Sequence, residues 1–194
     1  MSKSWVIRGV AALAASVFSL GAAEAQVFTP TFLAPRLTND FGVYVSDYDP
    51  GLALEGIWRA GSLGIRAGYF DVGDGALSIG GEIRNPVVLA GAPIGLAFTA
   101  AGQAILGDAN ALGIQAGFSA GHTFVPEASN FSLTPYIHPR LAILNNYGAE
   151  DKFELDVLAD VGINFDFAPN LSFRVGANLG EGANWGIGAA WRAR

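Results

Sequence analysis

From Phe153 to Phe165 the chain alternates with a period of two, and few folds accept that pattern over such a length. The odd positions Phe153, Leu155, Val157, Ala159, Val161, Ile163 and Phe165 are apolar. The even positions hold Glu154, Asp156, Asp160, Gly162 and Asn164, with Leu158 as the one break. Successive side chains of a β-strand point to opposite faces, so this segment has one oily and one wet face. About ten residues of tilted strand cross a bilayer. The pattern recurs along the chain and predicts an all-β fold, an antiparallel transmembrane β-barrel.

The N-terminus carries Lys3 and Arg8, an apolar run from Val10 to Leu20, and the small-x-small site Ala23-Glu24-Ala25 before Gln26. This is the layout of a cleaved signal peptide over residues 1–25. The apolar core is too short for a spanning anchor. An exported chain meets an oxidising compartment, and with no cysteine this one has no disulfide framework there. Cleavage leaves nine basic residues against sixteen acidic ones, a formal charge of −7. Lys152 is the single remaining lysine, whereas a soluble surface usually carries many. There is no basic stripe for nucleic acid.

Residues 26–35, with Pro30 and Pro35, read as an irregular lead-in, and residues 36–194 as one barrel domain. Ten strands are predicted, near 36–46, 52–59, 62–71, 76–84, 94–106, 111–124, 131–144, 153–166, 171–180 and 185–192. Eight is the alternative count. Turn residues separate most of them: Asp47–Gly51, Ala60-Gly61, Val72–Gly75, Gly107–Asn110, Ala168–Asn170 and Glu181–Asn184. Pro86–Gly107 is almost wholly apolar and would pass for a membrane helix by hydropathy. Pro93 between Gly91 and Gly95, with the alternation Ile94, Leu96, Phe98, Ala100, favours a strand instead.

Alternation alone leaves open which face is outside. A soluble barrel turns its apolar parity inward, and a membrane barrel turns it toward lipid. The polar parity is rich in glycine, including Gly64, Gly68, Gly80, Gly113, Gly117 and Gly162, which suits a crowded interior better than a solvated surface. It also holds Arg59, Arg66, Arg84, Arg140, Arg174 and Arg192 against Glu55, Glu82, Glu154, Asp156, Asp160 and Asp166. Balanced charges of this kind fit a lumen, where an unpaired charge is costly and arginine forks onto carboxylates. With the N-terminus periplasmic, Trp58, Phe131, Phe165, Phe173 and Trp191 fall near one rim and Tyr69, Phe153 and Trp185 near the other, as interfacial aromatic belts do.

The last strand, Trp185-Gly-Ile-Gly-Ala-Ala-Trp191-Arg-Ala-Arg194, resembles the closing strand of bacterial outer-membrane barrels, with its near-terminal aromatic. The mature chain as a whole resembles small outer-membrane barrels of the OmpA-like, porin-like type. That resemblance implies a bacterial outer-membrane location. It implies membrane lipids, lipopolysaccharide and the barrel-insertion machinery as partners, with small solutes as possible cargo.

Reactive chemistry is sparse. His122 reads as a rim residue. His138 shares the lumen parity and lies within reach of Glu154, Asp156 or Asp160 on the next strand. A His–carboxylate couple can orient a general base, but no nucleophile stands close in sequence, so membership of the ionic network is the favoured reading. No catalytic residue, cofactor or metal site is expected, since two histidines without cysteine make a poor transition-metal set. Pro135 and Pro139 sit four apart on the apolar parity of the seventh strand, so their missing N–H groups face one neighbour. Either a bulge or a strand that starts after Pro139 accommodates them, or they mark, with His138, a lateral seam.

The expected role is structural or that of a narrow, porin-like channel, with the lumen plugged by the arginine–carboxylate network and no enzyme activity. The alternative is a lipid-modifying enzyme or a lateral transporter of apolar solutes through the proline-weakened seam.

Overall fold

The computed structural model describes residues 28–48, 51–107, 110–127, 129–147, 153–167, 170–180 and 184–192. The signal peptide, its cleavage site and Gln26 lie outside these residues. So do parts of the expected turns, namely Asp49-Pro50, Asp108-Ala109, Ala168-Pro169 and Glu181–Ala183.

Ten strands follow in order: β1 Asp40–Tyr48, β2 Gly51–Ala60, β3 Leu63–Phe70, β4 Ala76–Val87, β5 Gly95–Gly107, β6 Asn110–Gly121, β7 Phe131–Tyr147, β8 Phe153–Phe167, β9 Leu171–Leu179 and β10 Asn184–Arg192. Each pairs antiparallel with its neighbours in sequence, and β1 pairs with β10 to close the barrel. Closure removes the unpaired edges that an open sheet would present. The count of ten stands, and the apolar Pro86–Gly107 segment supplies β5. The first strand starts at Asp40 and not near residue 36. The end of the barrel that carries Asp40 and Arg192 is called proximal below, and the opposite end distal.

Parity decides the two surfaces. On β1 the buried positions Asp40, Gly42, Tyr44, Ser46 and Tyr48 alternate with exposed Phe41, Val43 and Val45. The same rule holds around the wall, where Trp58, Ile65, Ile79, Ile114, Ile137 and Ile187 all face outward. Among the described strand residues, Asp47 at the distal end of β1 is the one charged side chain on the outward parity. Every arginine and glutamate of the strands belongs to the inward one. Soluble proteins rarely show so large an apolar surface, and a membrane barrel requires it. Leu158, the one break in the alternation of β8, is buried at the distal end of the lumen.

Inward glycines make the close packing possible. Each lies across the ladder from a large side chain: Gly64 from Glu82, Gly80 from Arg66, Gly117 from Arg140, Gly162 from Tyr136 and Gly188 from Tyr44. A Cβ built on Gly64 would come 2.5 Å from the Glu82 side chain, and one on Gly162 would come 2.4 Å from the Tyr136 hydroxyl. A side chain at these places would force the facing side chain or backbone to shift.

Candidate functional site: the filled lumen

Residues 28–39 do not lie outside the barrel. Residues 28–35 run buried through it as an inner strap, and 36–39 lead from its proximal end into β1. Phe28 is buried at the distal end among Tyr48, Phe70, Ile105, Leu144 and Leu158. Its carbonyl accepts long bonds from Asn178 and Asn184, at 3.5 and 3.4 Å. The chain then descends past Thr29, Thr31 and Phe32, all almost fully buried, to Pro35, which packs on the inward Gly95 and Gly121 near the proximal end. Asn39 Oδ1 accepts from the Gly61 N–H at 2.7 Å, fastening the strap to the β2–β3 turn before β1 begins.

A buried irregular segment must place its backbone polar groups on partners, and the lumen supplies them. Arg59 Nη2 donates to the Thr31 carbonyl at 2.9 Å, Arg84 Nη1 to that of Ala34 at 2.6 Å and Arg66 Nη1 to the Thr29 hydroxyl at 3.4 Å. The Ser119 hydroxyl donates to the Leu33 carbonyl. The Thr31 N–H donates to Asp160 Oδ2 at 2.9 Å. Thr29 donates its hydroxyl to Glu55. Phe32 stacks on Tyr44, with ring centroids 4.4 Å apart.

The ion pairs of the wall surround this strap. Arg59 Nε meets Glu82 at 2.6 Å, Arg140 meets Asp160 at 3.0 Å and Arg192 meets Asp166 at 2.5 Å. Arg66 is 4.0 Å from Glu55 and also reaches Gln103 at 3.2 Å. Arg174 pairs with Asp40 and donates to the Tyr44 hydroxyl at 2.6 Å. Sequence reasoning missed Asp40, although its even position beside Gly42 and Tyr44 shares the lumen parity. Arg84 has no carboxylate within ion-pair distance among the described residues. The strap holds it instead, through Ala34 and through Thr38 at 3.4 Å. Glu154 is exposed and Asp156 half-buried, both at the distal end of β8.

His138 lies at the centre. Its Nε2 is 2.7 Å from the Thr99 hydroxyl, its Nδ1 is 2.9 Å from the Thr31 hydroxyl, and Asp160 is 3.5 Å away. Thr31 donates to Asp160, so its oxygen is free to accept from a hydrogen on Nδ1. In the neutral ring with its hydrogen on Nδ1, Nε2 accepts from Thr99. Hydroxyl, imidazole and carboxylate thus form one relay, but the strap's own threonine stands between histidine and carboxylate. His138 and Asp160 are both almost fully buried. The relay holds the strap. Among the described residues no three His, Asp or Glu side chains converge on a metal position.

The two prolines lie within β7, and neither a bulge nor a late start accounts for them. Pairing with β8 is unbroken from Phe131↔Phe167 to Asn145↔Phe153. On the β6 side it runs from Asn110↔Tyr147 to Gly117↔Arg140, lapses opposite His138 and Pro139, and resumes in the same register at Ala120↔Ile137. An inserted residue would have shifted that register. The backbones stay close here: a Cβ on Gly117 would lie 2.3 Å from the Pro139 carbonyl, and one on Gly121 2.6 Å from that of Pro135. The proline carbonyls remain useful, since Pro135 accepts from the His122 N–H at 3.3 Å.

A closed antiparallel barrel with an apolar outer surface and a charged, filled interior defines a small transmembrane β-barrel, similar to the porin-like barrels of outer membranes. Among solved structures the chain is similar to "KdgM porin", at 9% identity and a TM-score of 0.41, and to "KdgM porin in complex with disordered oligogalacturonate", at 6% and 0.40. Each likeness covers 80% of this chain and 99% of the other. No family model and no curated protein matches the sequence.

Proposed function

We propose that this chain is a porin-like barrel of the bacterial outer membrane, closed at rest by its own N-terminal strap, with residues 1–25 removed on export. The carrying observation is the burial of Phe28–Pro35 along the lumen. Its carbonyls sit on Arg59, Arg66 and Arg84, and its hydroxyls on Glu55 and Asp160. The plug is then the strap together with the ionic network of Glu55, Arg59, Arg66, Glu82, Arg84, Arg140, Asp160, Asp166, Arg174 and Arg192, not the network by itself. Lipid and lipopolysaccharide surround the outer wall, the insertion machinery delivers it, and a small solute passes when the strap is displaced. The close β6–β7 backbones favour this axial route over a lateral one at Pro135, His138 and Pro139.

The test is conductance in planar bilayers. Refolded residues 26–194 give negligible current. A chain lacking residues 26–35, and the milder double variant Thr31→Ala with Phe32→Ala, open discrete channels whose ion selectivity changes on Arg140→Gln. Barrel integrity is followed by heat-modifiable migration on gels. Folded variants that remain silent would assign the barrel a purely structural role.

A further inference from the structure

The proximal turns on one side of the barrel carry an apolar surface that the lumen and the strand belt do not explain. No charged residue occurs from Asn85 to Gly107. All of residues 85–95 are exposed, with Val88 at 91%. The neighbouring turn after β6 adds Phe124 at 51% and Val125 at 68%. The two turns are joined: His122 Nδ1 contacts the Pro93 carbonyl, and its ring packs edge-on against Phe124 at 4.5 Å. They therefore form one lip.

That lip continues an apolar surface already described. Ile83 and Val87 on β4 lead down into it, and Phe98 and Phe118, with ring centroids 5.6 Å apart, bridge β5 to β6 just above. The adjoining proximal turn, between β2 and β3, is by contrast only Gly61-Ser62. The strands differ in the same sense, since β4 to β8 have 12 to 17 residues, beyond the span a bilayer needs, whereas β1 to β3 have 8 to 10. A turn meant for water would carry charges or turn-forming polar residues. An uncharged apolar segment flanked by aromatics partitions into the headgroup and acyl boundary.

We infer that the turns 85–95 and 122–125 form a lipid-embedded lip, in contact with the proximal leaflet and not with the aqueous compartment, with Glu127 beyond its edge. This rests on the membrane reading of the barrel and makes the boundary of its lipid zone oblique, lower on the β4–β7 side.

The chain has no cysteine, so single nitroxide labels are clean. Labels at Val88→Cys, Leu89→Cys and Val125→Cys in reconstituted vesicles should collide with oxygen more than with a water-soluble nickel chelate, matching Ile79→Cys in the belt. Ser62→Cys on the short adjoining β2–β3 turn should show the reverse. Positions 88 and 89 behaving like 62 would overturn the lip and leave the surface to a protein partner. Position 79 also behaving like 62 would instead sink the membrane reading itself. Val88→Asp with Leu89→Asp should shift a label at 125 toward the aqueous pattern while the folded gel band persists. An unmoved label would count against a shared lip.

Discussion

Around Phe28 the lumen is packed like an ordinary protein core, with Tyr48, Phe70, Ile105, Leu144 and Leu158 in contact and Tyr48 edge-on to Phe70 at 4.6 Å. One layer below, Asp160, Arg140, His138, Thr31 and Thr99 fill the same cross-section with charges and hydrogen bonds. The two layers are held together by different physics. The apolar layer depends on shape and volume, so losing one side chain removes contacts in proportion to the gap. The ionic layer depends on pairing, so losing one partner strands another charge in a low-dielectric interior. The strap crosses both layers, with a ring in the first and a hydroxyl and an N–H in the second.

The sharpest way to break this comparison is Asp160→Ala, which strands Arg140 and leaves the N–H and the hydroxyl of Thr31 without their acceptor. A loss of about 3–5 kcal/mol in unfolding free energy is expected, read by urea titration in lipid vesicles or detergent. A smaller effect is expected in the apolar layer, where Leu158→Ala should cost about 3 kcal/mol through lost burial and a cavity. Should the leucine variant prove the more damaging of the two, the distinction between layers fails. The smallest change is Thr31→Val, which keeps the backbone N–H to Asp160 and removes only the hydroxyl linking His138 to the carboxylate. It should cost about 1–2 kcal/mol and should raise the frequency of channel opening under applied voltage. An unchanged trace would mean that the strap is held chiefly by its carbonyls and by Phe28 and Phe32.

Much of the wall was legible beforehand. A two-residue period reports which side chains share a face, and the contents of each parity report which face meets lipid. Leu158 looked like an error in that pattern and is instead where the inward face passes from charge to apolar packing. Asp40 lies inside the expected 36–46 strand on the parity of Gly42 and Tyr44, so its place in the ionic set was legible although it was left out. The ladder to β6 does lapse opposite His138 and Pro139, yet the register is the same on both sides of the gap, and Gly117 and Gly121 let the facing backbone stay close. Arg84 shows why patterns run out: its main partner is a backbone carbonyl, which every residue possesses and no composition reveals.

What the amino-acid sequence by itself determined is therefore the class of surface: strands, their order, and an oily register set against an ionised one. Local alternation encodes these, because each side chain's direction follows from its own backbone and its immediate neighbours. Only the tertiary structure decided where residues 28–39 go. An irregular stretch with two prolines has no periodicity to announce a destination, and its partners Glu55, Arg59, Arg84, His138 and Asp160 come from strands scattered along the chain. They meet it only because ring closure brings them around one axis.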